Sequence, residues 1–113
     1  MNENMLDIRN LERQIEANTA QVRRGELALK LGNIPEFKEL IMDEFMSAEV
    51  IRNVGLSADP ALPDNQRADA LSMAQAGGHL KRYLAAQVQM GRVAEREIPN
   101  LEACIQELLS EED

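Results

Sequence analysis

Apolar residues in the first third of the chain recur at alternating spacings of three and four, which is typical of a helix with one narrow apolar stripe. The heptad a positions are Ile8, Ile15, Val22 and Leu29, and the d positions are Leu11, Asn18, Gly25 and Gly32. This pattern predicts a long, coiled-coil-like helix over residues 1–32. A stripe so narrow needs a partner, either within the chain or in another chain. We therefore predict a contact seam formed by Ile8, Leu11, Ile15 and Val22.

Asn18 interrupts the apolar d positions of this predicted helix. A polar residue at such a position costs stability but fixes the register of paired helices. The other interpretation is that the seam faces water at this point. The sequence leaves both open.

A second helix is predicted over residues 35–56, after a break at Gly32 and Pro35. Glycine suits the left-handed position that ends a helix, and proline suits the first turn of the next one. Both phenylalanines lie in this segment, so we expect it to be the core helix. Its predicted apolar face, at a period of 3.6, comprises Phe37, Leu40, Ile41, Phe45, Ala48, Ile51 and Val54. Whether the helix breaks near Ser47 is left open.

The remaining chain predicts a loop followed by two helices. Pro60 and Pro63 indicate a loop over residues 57–64, because proline lacks the amide hydrogen that a helix needs. A long helix is predicted over 65–98, where Pro99 should kink or stop it, and a last helix over 99–109 before an acidic tail at 110–113. The inner stripe predicted for the long helix comprises Leu71, Ala74, Gly77 or Gly78, Leu80, Leu84, Val88 and Gly91.

No segment shows the alternating pattern of a strand, so the predicted fold class is all-α. We expect a small helical bundle or helical hairpin that forms a single domain over residues 1–113. Only 3% of the residues are aromatic, so Leu, Ile, Val, Met and Ala must fill the core. This composition favours thin helix–helix seams over a thick core.

The charge of the chain is concentrated near its C-terminus. The formal net charge is −8, and residues 95–113 contain seven acidic residues and one basic residue. This segment is either a solvated tail that aids solubility or a docking segment for a basic partner surface. A pI near 4.7 argues against binding to nucleic acid or to acidic membranes. No apolar run approaches the roughly 20 residues that span a bilayer, so no membrane association is expected.

Few residues are suited to catalysis or metal binding. His79 is the only histidine and Cys104 the only cysteine, so neither a zinc set nor the paired Glu-x-x-His motifs of di-iron bundles can form. Cys104 is interpreted as an inert small hydrophobe beside the last apolar stripe. Gly77 and Gly78 indicate a hinge or a close helix approach. We expect no enzyme activity, cofactor, metal or small-molecule substrate.

One basic stripe is predicted on the long helix, with Lys81, Arg92 and Arg96 pointing broadly one way. These residues either form a solvated face that balances nearby acids or contact an acidic partner. The acidic tail of a neighbouring copy is one such partner.

Several short segments resemble a group of small, uncharacterised, all-helical tailed-bacteriophage proteins encoded among virion-structural genes. The resemblance covers roughly residues 8–112 and is carried by residues 33–41, 49–52, 58–60, 80–84 and 90–95. It implies a phage origin, a part in head or virion assembly, and a location in the host bacterial cytoplasm or the virion. It brings no catalytic residues.

Two functions are therefore expected as alternatives. The first is a structural or assembly protein that acts by helix-mediated oligomerisation, or by docking onto another phage virion protein. The second is a phage-encoded inhibitor that binds a host protein through its acidic surface.

Overall fold

The computed structural model describes residues 3–111, and every regular element in this range is helical. In chain order these are α1 (Glu3–Gly32), α2 (Pro35–Phe37), a π-helix (Lys38–Ala48), α3 (Glu49–Ser57) and α4 (Asp64–Glu111). The all-α prediction and the long N-terminal helix are confirmed. The chain divides into two compact units, one formed by residues 3–27 with 87–111 and the other by Ala28–Ala86.

In the first unit, α1 packs antiparallel against the C-terminal part of α4. Gly25 lies against Gly91, while Leu11 near the start of α1 shares a groove with Leu108 near the end of α4. The buried and half-buried positions of α4 here repeat at three and four, as an antiparallel helix pair requires. They are Gln87, Gly91, Ala94, Ile98, Leu101, Ile105 and Leu108, with Val88 half-buried beside Gln87.

Pro99 does not end the last helix, so the predicted boundary between residues 98 and 99 is wrong. α4 runs without interruption from Asp64 to Glu111 and holds Pro99 on an exposed position. Proline removes one helical hydrogen bond. However, Ala94, five residues before the proline, and Leu101, two residues after it, are 3% and 5% exposed. Their packing against α1 keeps both sides of the proline helical.

The break between α1 and α2 occurs where it was predicted, but Gly32 does not take a left-handed conformation. No glycine within residues 3–111 has a positive φ. The chain leaves α1 through two i→i−3 hydrogen bonds instead, from the Asn33 amide to the Lys30 carbonyl and from the Ile34 amide to the Leu31 carbonyl, both at 3.1 Å. Pro35 opens the next helix as expected.

In the second unit, residues 35–57 form a continuous helical run whose middle is a π-helix. The Glu49 amide bonds the Glu44 carbonyl five residues back, and the Ser47 hydroxyl donates to the Met42 carbonyl at 2.8 Å. The helix therefore does not break near Ser47, but widens before it and returns to α geometry after it. Residues 58–63 link this run to α4. The observed loop is therefore one residue shorter at each end than the loop predicted over residues 57–64.

The π-helix changes which side chains face the core, so the face predicted at a period of 3.6 is partly wrong. Leu40, Ile51 and Val54 were placed inside but are 61%, 76% and 51% exposed, and Ala48 is exposed too. A π-helix has more residues per turn than an α-helix, so each residue rotates through a smaller angle about the helix axis. This difference shifts which side chains lie on the inner face. The buried and half-buried positions of this run are Phe37, Ile41, Met42, Phe45, Met46, Ser47, Glu49, Val50, Asn53, Leu56 and Ser57.

The α4 stripe in this unit is made of small residues. Ala70, Ala74 and Gly77 are buried, whereas Leu71, which was predicted inside, is 46% exposed. A Cβ built on Gly77 would lie 2.6 Å from Val50 Cγ2 and 2.7 Å from the Phe45 carbonyl oxygen. The helix approach predicted at the glycine pair is therefore made by Gly77, and larger residues such as Leu71 lie beside it.

Candidate docking surfaces

The four residues of the predicted contact seam share one side of α1 and are all half-buried. Ile8 lies beside Met5 and Leu109, and Leu11 lies beside Leu108 and Cys104. These first two seam residues thus have apolar neighbours on α4 of the same chain. Leu29, the last predicted a position, is 48% exposed and falls outside the seam.

Ile15 and Val22 line a shallow, open depression of about 600 Å³ whose lining residues all belong to α1. Ala20 and Thr19 complete its floor, and the Thr19 hydroxyl donates to the Ile15 carbonyl at 2.8 Å. The rim carries both signs of charge, from Glu16, Arg23 and Glu26. The second half of the predicted seam therefore remains accessible to another molecule. We call this surface the α1 groove.

Next to the α1 groove, a polar layer crosses the α1–α4 pair. Gln21 is only 8% exposed and donates through Nε2 to the side-chain oxygen of Gln87 at 3.1 Å. The Gln21 oxygen in turn accepts from the Arg24 guanidinium at 2.7 Å. The buried amide is thus hydrogen-bonded on both sides, as a polar group in a helix seam must be to avoid a large desolvation cost. The heptad pattern did not reveal this layer, because Gln21 lies between the a and d positions.

Asn18, the polar residue of the predicted seam, bonds within its own helix. Its side-chain nitrogen donates to the Gln14 carbonyl at 2.8 Å. This bond uses one of the two amide hydrogens of Asn18 within α1.

The residues of the predicted basic stripe are all exposed. Lys81 belongs to the second unit, while Arg92 and Arg96 belong to the first and lie on adjacent turns of α4. The Arg96 side chain donates to the Arg92 carbonyl at 3.3 Å. The ion pairs within residues 3–111 are Arg52–Glu49 and Arg67–Asp64. Lys81, Arg92 and Arg96 therefore form no ion pair with an acidic side chain in this range. The role of the stripe in binding a partner stays a prediction.

The acidic segment is helical as far as the structure describes it. Its acidic residues up to position 111 are all exposed, and none of them forms an ion pair within residues 3–111; they are Glu95, Glu97, Glu102, Glu107 and Glu111. Of the predicted tail at 110–113, Ser110 and Glu111 continue α4, and the last two residues lie outside the described range.

His79 and Cys104, the residues considered for catalysis or metal binding, lie far apart along α4. His79 is exposed on α4, and Cys104 is an exposed free thiol in a groove that it shares with Asp7 and Glu107. Among residues 3–111, no three histidine, cysteine or acidic side chains are grouped as a metal ion would require. In the same range, none of the helices combines the length and the apolarity that crossing a bilayer demands.

Comparison with known proteins adds no relative: no protein-family model, curated protein or solved structure matches this chain.

Proposed function

We propose that this chain is a non-enzymatic structural or assembly protein that acts by docking or oligomerising through its helices. The observation that supports this most directly is the α1 groove. Ile15 and Val22 occupy predicted seam positions, yet they line a surface that stays open in the chain by itself. A partner helix laid along the groove would bury them by the helix-in-groove mode of recognition.

The chemistry of the groove favours a helical protein partner. The floor is apolar, and burying the exposed part of each aliphatic side chain contributes on the order of 1 kcal/mol. The rim alternates in sign, with Glu16 and Glu26 on either side of Arg23. A partner helix with both acidic and basic side chains fits such a rim, whereas a uniformly charged ligand does not.

The phage setting of this proposal comes from the resemblance to small virion-cluster proteins. The partner is accordingly another virion component or a second copy, and the place of action is the host cytoplasm or the particle. Mass spectrometry of purified particles tests this. The proposal expects the chain at a defined copy number relative to a capsid or tail protein. Its absence from particles and from their assembly intermediates would contradict it.

A second candidate function rests on a different surface. The exposed acids of residues 95–111 have no ion-pair partner within the described chain, which leaves them available to a basic surface. A phage-encoded inhibitor of a host protein would use them in this way. Expression in host cells separates the two functions. Toxicity and a co-purifying host protein released by about 0.5 M salt favour the inhibitor, because salt at that strength screens surface charge strongly.

A further inference from the structure

A row of exposed residues runs along α1 beside its half-buried seam. Its members recur at alternating spacings of three and four, and they are Arg9, Glu12, Glu16, Thr19, Arg23 and Glu26. We call this row the charged strip. Its last four members line the α1 groove, and its first two line a second depression of about 270 Å³ at the start of α1. The spacing is that of a helix face that packs along another helix.

The charges of the strip are unpaired within the part of the chain that the structure describes. The ion pairs in this part lie on α3 and α4, and none of them involves α1. Arg23 and Glu26 lie one turn apart and still form no ion pair with each other. The charged side chains of this exposed row are therefore available to a second chain.

The order of these charges is self-complementary in an antiparallel pair of helices. A two-fold axis that crosses α1 between residues 17 and 18 places Arg9 opposite Glu26 of a second copy, because the two lie at equal distances from the axis. The same axis places Glu12 opposite Arg23 of that copy. Symmetry repeats each contact, so oppositely charged residues face each other at both ends of the paired strips.

This register also brings the apolar floor of the α1 groove together. Ile15 and Val22 each precede a member of the strip by one position, so they lie on the same flank of it. The two-fold axis sets Ile15 of one copy beside Val22 of the other. Exposed ion pairs contribute little affinity each, so they define the register, whereas burial of these half-buried aliphatic side chains supplies the affinity.

Other arrangements of the same two helices bring like charges together. A shift of one heptad in either direction places Glu12 opposite Glu16, or Glu16 opposite Glu26, of the second copy. A parallel pair in register places every charge of the strip opposite its own equivalent. The charge pattern therefore selects the antiparallel register over these alternatives.

The net charge of −8 is not carried by α1. Five acidic and five basic residues lie in Glu3–Gly32, so this helix is neutral as a whole and the acidic excess belongs to other elements. Two acidic copies can therefore meet through α1 without a net charge on the contacting helices.

We infer that the α1 groove binds α1 of a second copy, antiparallel and with charged strip against charged strip. The inference names the partner of the proposed docking function, and it rests on that function. One surface supplies both halves of the contact, as in other two-fold interfaces. Each copy buries a single helix face, so we expect a weak dimer with a Kd between about 10 µM and about 1 mM.

Sedimentation equilibrium on the full chain, from a few micromolar to about 1 mM protein at about 50 mM salt, tests the inference. The wild-type chain should form dimers. Glu12→Arg and Arg23→Glu each place like charges opposite each other at two points of the dimer, so each should raise the Kd at least about tenfold. Glu12→Arg makes the chain less acidic, so general repulsion between copies cannot account for its effect.

The combination of Glu12→Arg with Arg23→Glu is the decisive variant. The ion pairs re-form with their signs exchanged and the net charge is unchanged, so the Kd should return to within about threefold of the wild-type value. Arg13→Glu is the matched control for Arg23→Glu, because Arg13 is exposed on the same helix but lies off the strip. It should leave the Kd within about threefold. Far-UV circular dichroism at low concentration will show that all four variants fold.

A wild-type chain that stays monomeric to about 1 mM would overturn the inference, and so would a double variant that pairs no better than the single ones. Both outcomes can be told apart from failure of the proposed function. A monomeric chain that still enters particles docks onto a different virion protein. A chain that dimerises as expected but is absent from particles and their assembly intermediates contradicts the phage function alone.

Discussion

Gly25 and Gly91 bring two helix backbones into direct contact. A Cβ built on Gly25 would lie 3.1 Å from the Cα of Gly91 and 2.9 Å from the carbonyl oxygen of Gln87. These are backbone atoms, so they can yield only if α1 and α4 move apart. This contact lets α1 and α4 pack closely next to the hydrogen bond between Gln21 and Gln87.

Gly25→Ala should therefore destabilise the fold. The clash costs about 1–3 kcal/mol, which exceeds the gain of about 1 kcal/mol from replacing a helical glycine. Urea denaturation followed by circular dichroism at low micromolar concentration measures the difference. Gly78→Ala is the control, and it should stabilise the chain by up to about 1 kcal/mol, because its Cβ meets no neighbour. Similar shifts for both variants would show that the helices do not cross at Gly25.

The polar layer should behave as a coupled pair. Removing the Gln87 side chain breaks the 3.1 Å hydrogen bond and leaves Gln21 with its bonds to the Gln87 backbone carbonyl and to Arg24, whereas removing Gln21 takes that donor from the half-buried Gln87 side chain. We expect each alanine variant to lose about 1–2 kcal/mol of unfolding free energy, and the double variant to lose about 1 kcal/mol less than their sum. Gln89→Ala, at an exposed position, should change stability by less than about 0.5 kcal/mol. Strict additivity would mean that the two glutamines do not interact.

The π-helix reverses the ranking of two core candidates. Met46 is 7% exposed and Ile51 is 76% exposed. Met46→Ala should cost about 2–4 kcal/mol, and Ile51→Ala less than about 0.5 kcal/mol, when unfolding is measured at concentrations too low for association. An uninterrupted α-helix predicts a core role for Ile51. A larger loss for Ile51→Ala than for Met46→Ala would therefore contradict the π-helical register.

The pair Glu49–Arg52 gives α3 a pH-dependent contact. The Arg52 guanidinium donates to both carboxylate oxygens of Glu49, at 2.8 Å for the closest pair, and this hydrogen bond lowers the pKa of Glu49 from its ordinary value of 4.5. Since the folded pKa is depressed, the stabilisation is fully present above pH 4.5 and is lost as the pH falls through the folded pKa. Arg52→Gln should move the carboxyl titration of Glu49, followed by NMR, back toward 4.5. An unchanged midpoint would show that the pair does not persist in solution.

The sequence predicted α1 well because local periodicity determined it, whereas the role of its seam in contacting a partner stays a prediction. Ile8, Leu11, Ile15 and Val22 are half-buried on one side, as a heptad stripe requires. Ile15 and Val22 also led to the α1 groove, although which seam residues stay open depends on the path of α4. The neighbouring Gln21 was missed, because its burial comes from a hydrogen bond to a residue 66 positions away.

The errors arose where tertiary packing overrides local preference. Pro99 normally ends a helix, yet contacts on both sides of it continue α4. Ile51 and Val54 were placed inside because a period of 3.6 was assumed across a π-helix.

Incorporation into particles is the measurement that tests the docking account most directly. Ala20 is exposed in the α1 groove, and Ala17 is exposed on the same helix outside it, so Ala20→Gln fills the groove and Ala17→Gln is its matched control. Quantitative mass spectrometry of purified particles should find the Ala17→Gln chain at the wild-type copy number and the Ala20→Gln chain reduced at least about tenfold. Equal incorporation of both variants would contradict docking through the α1 groove.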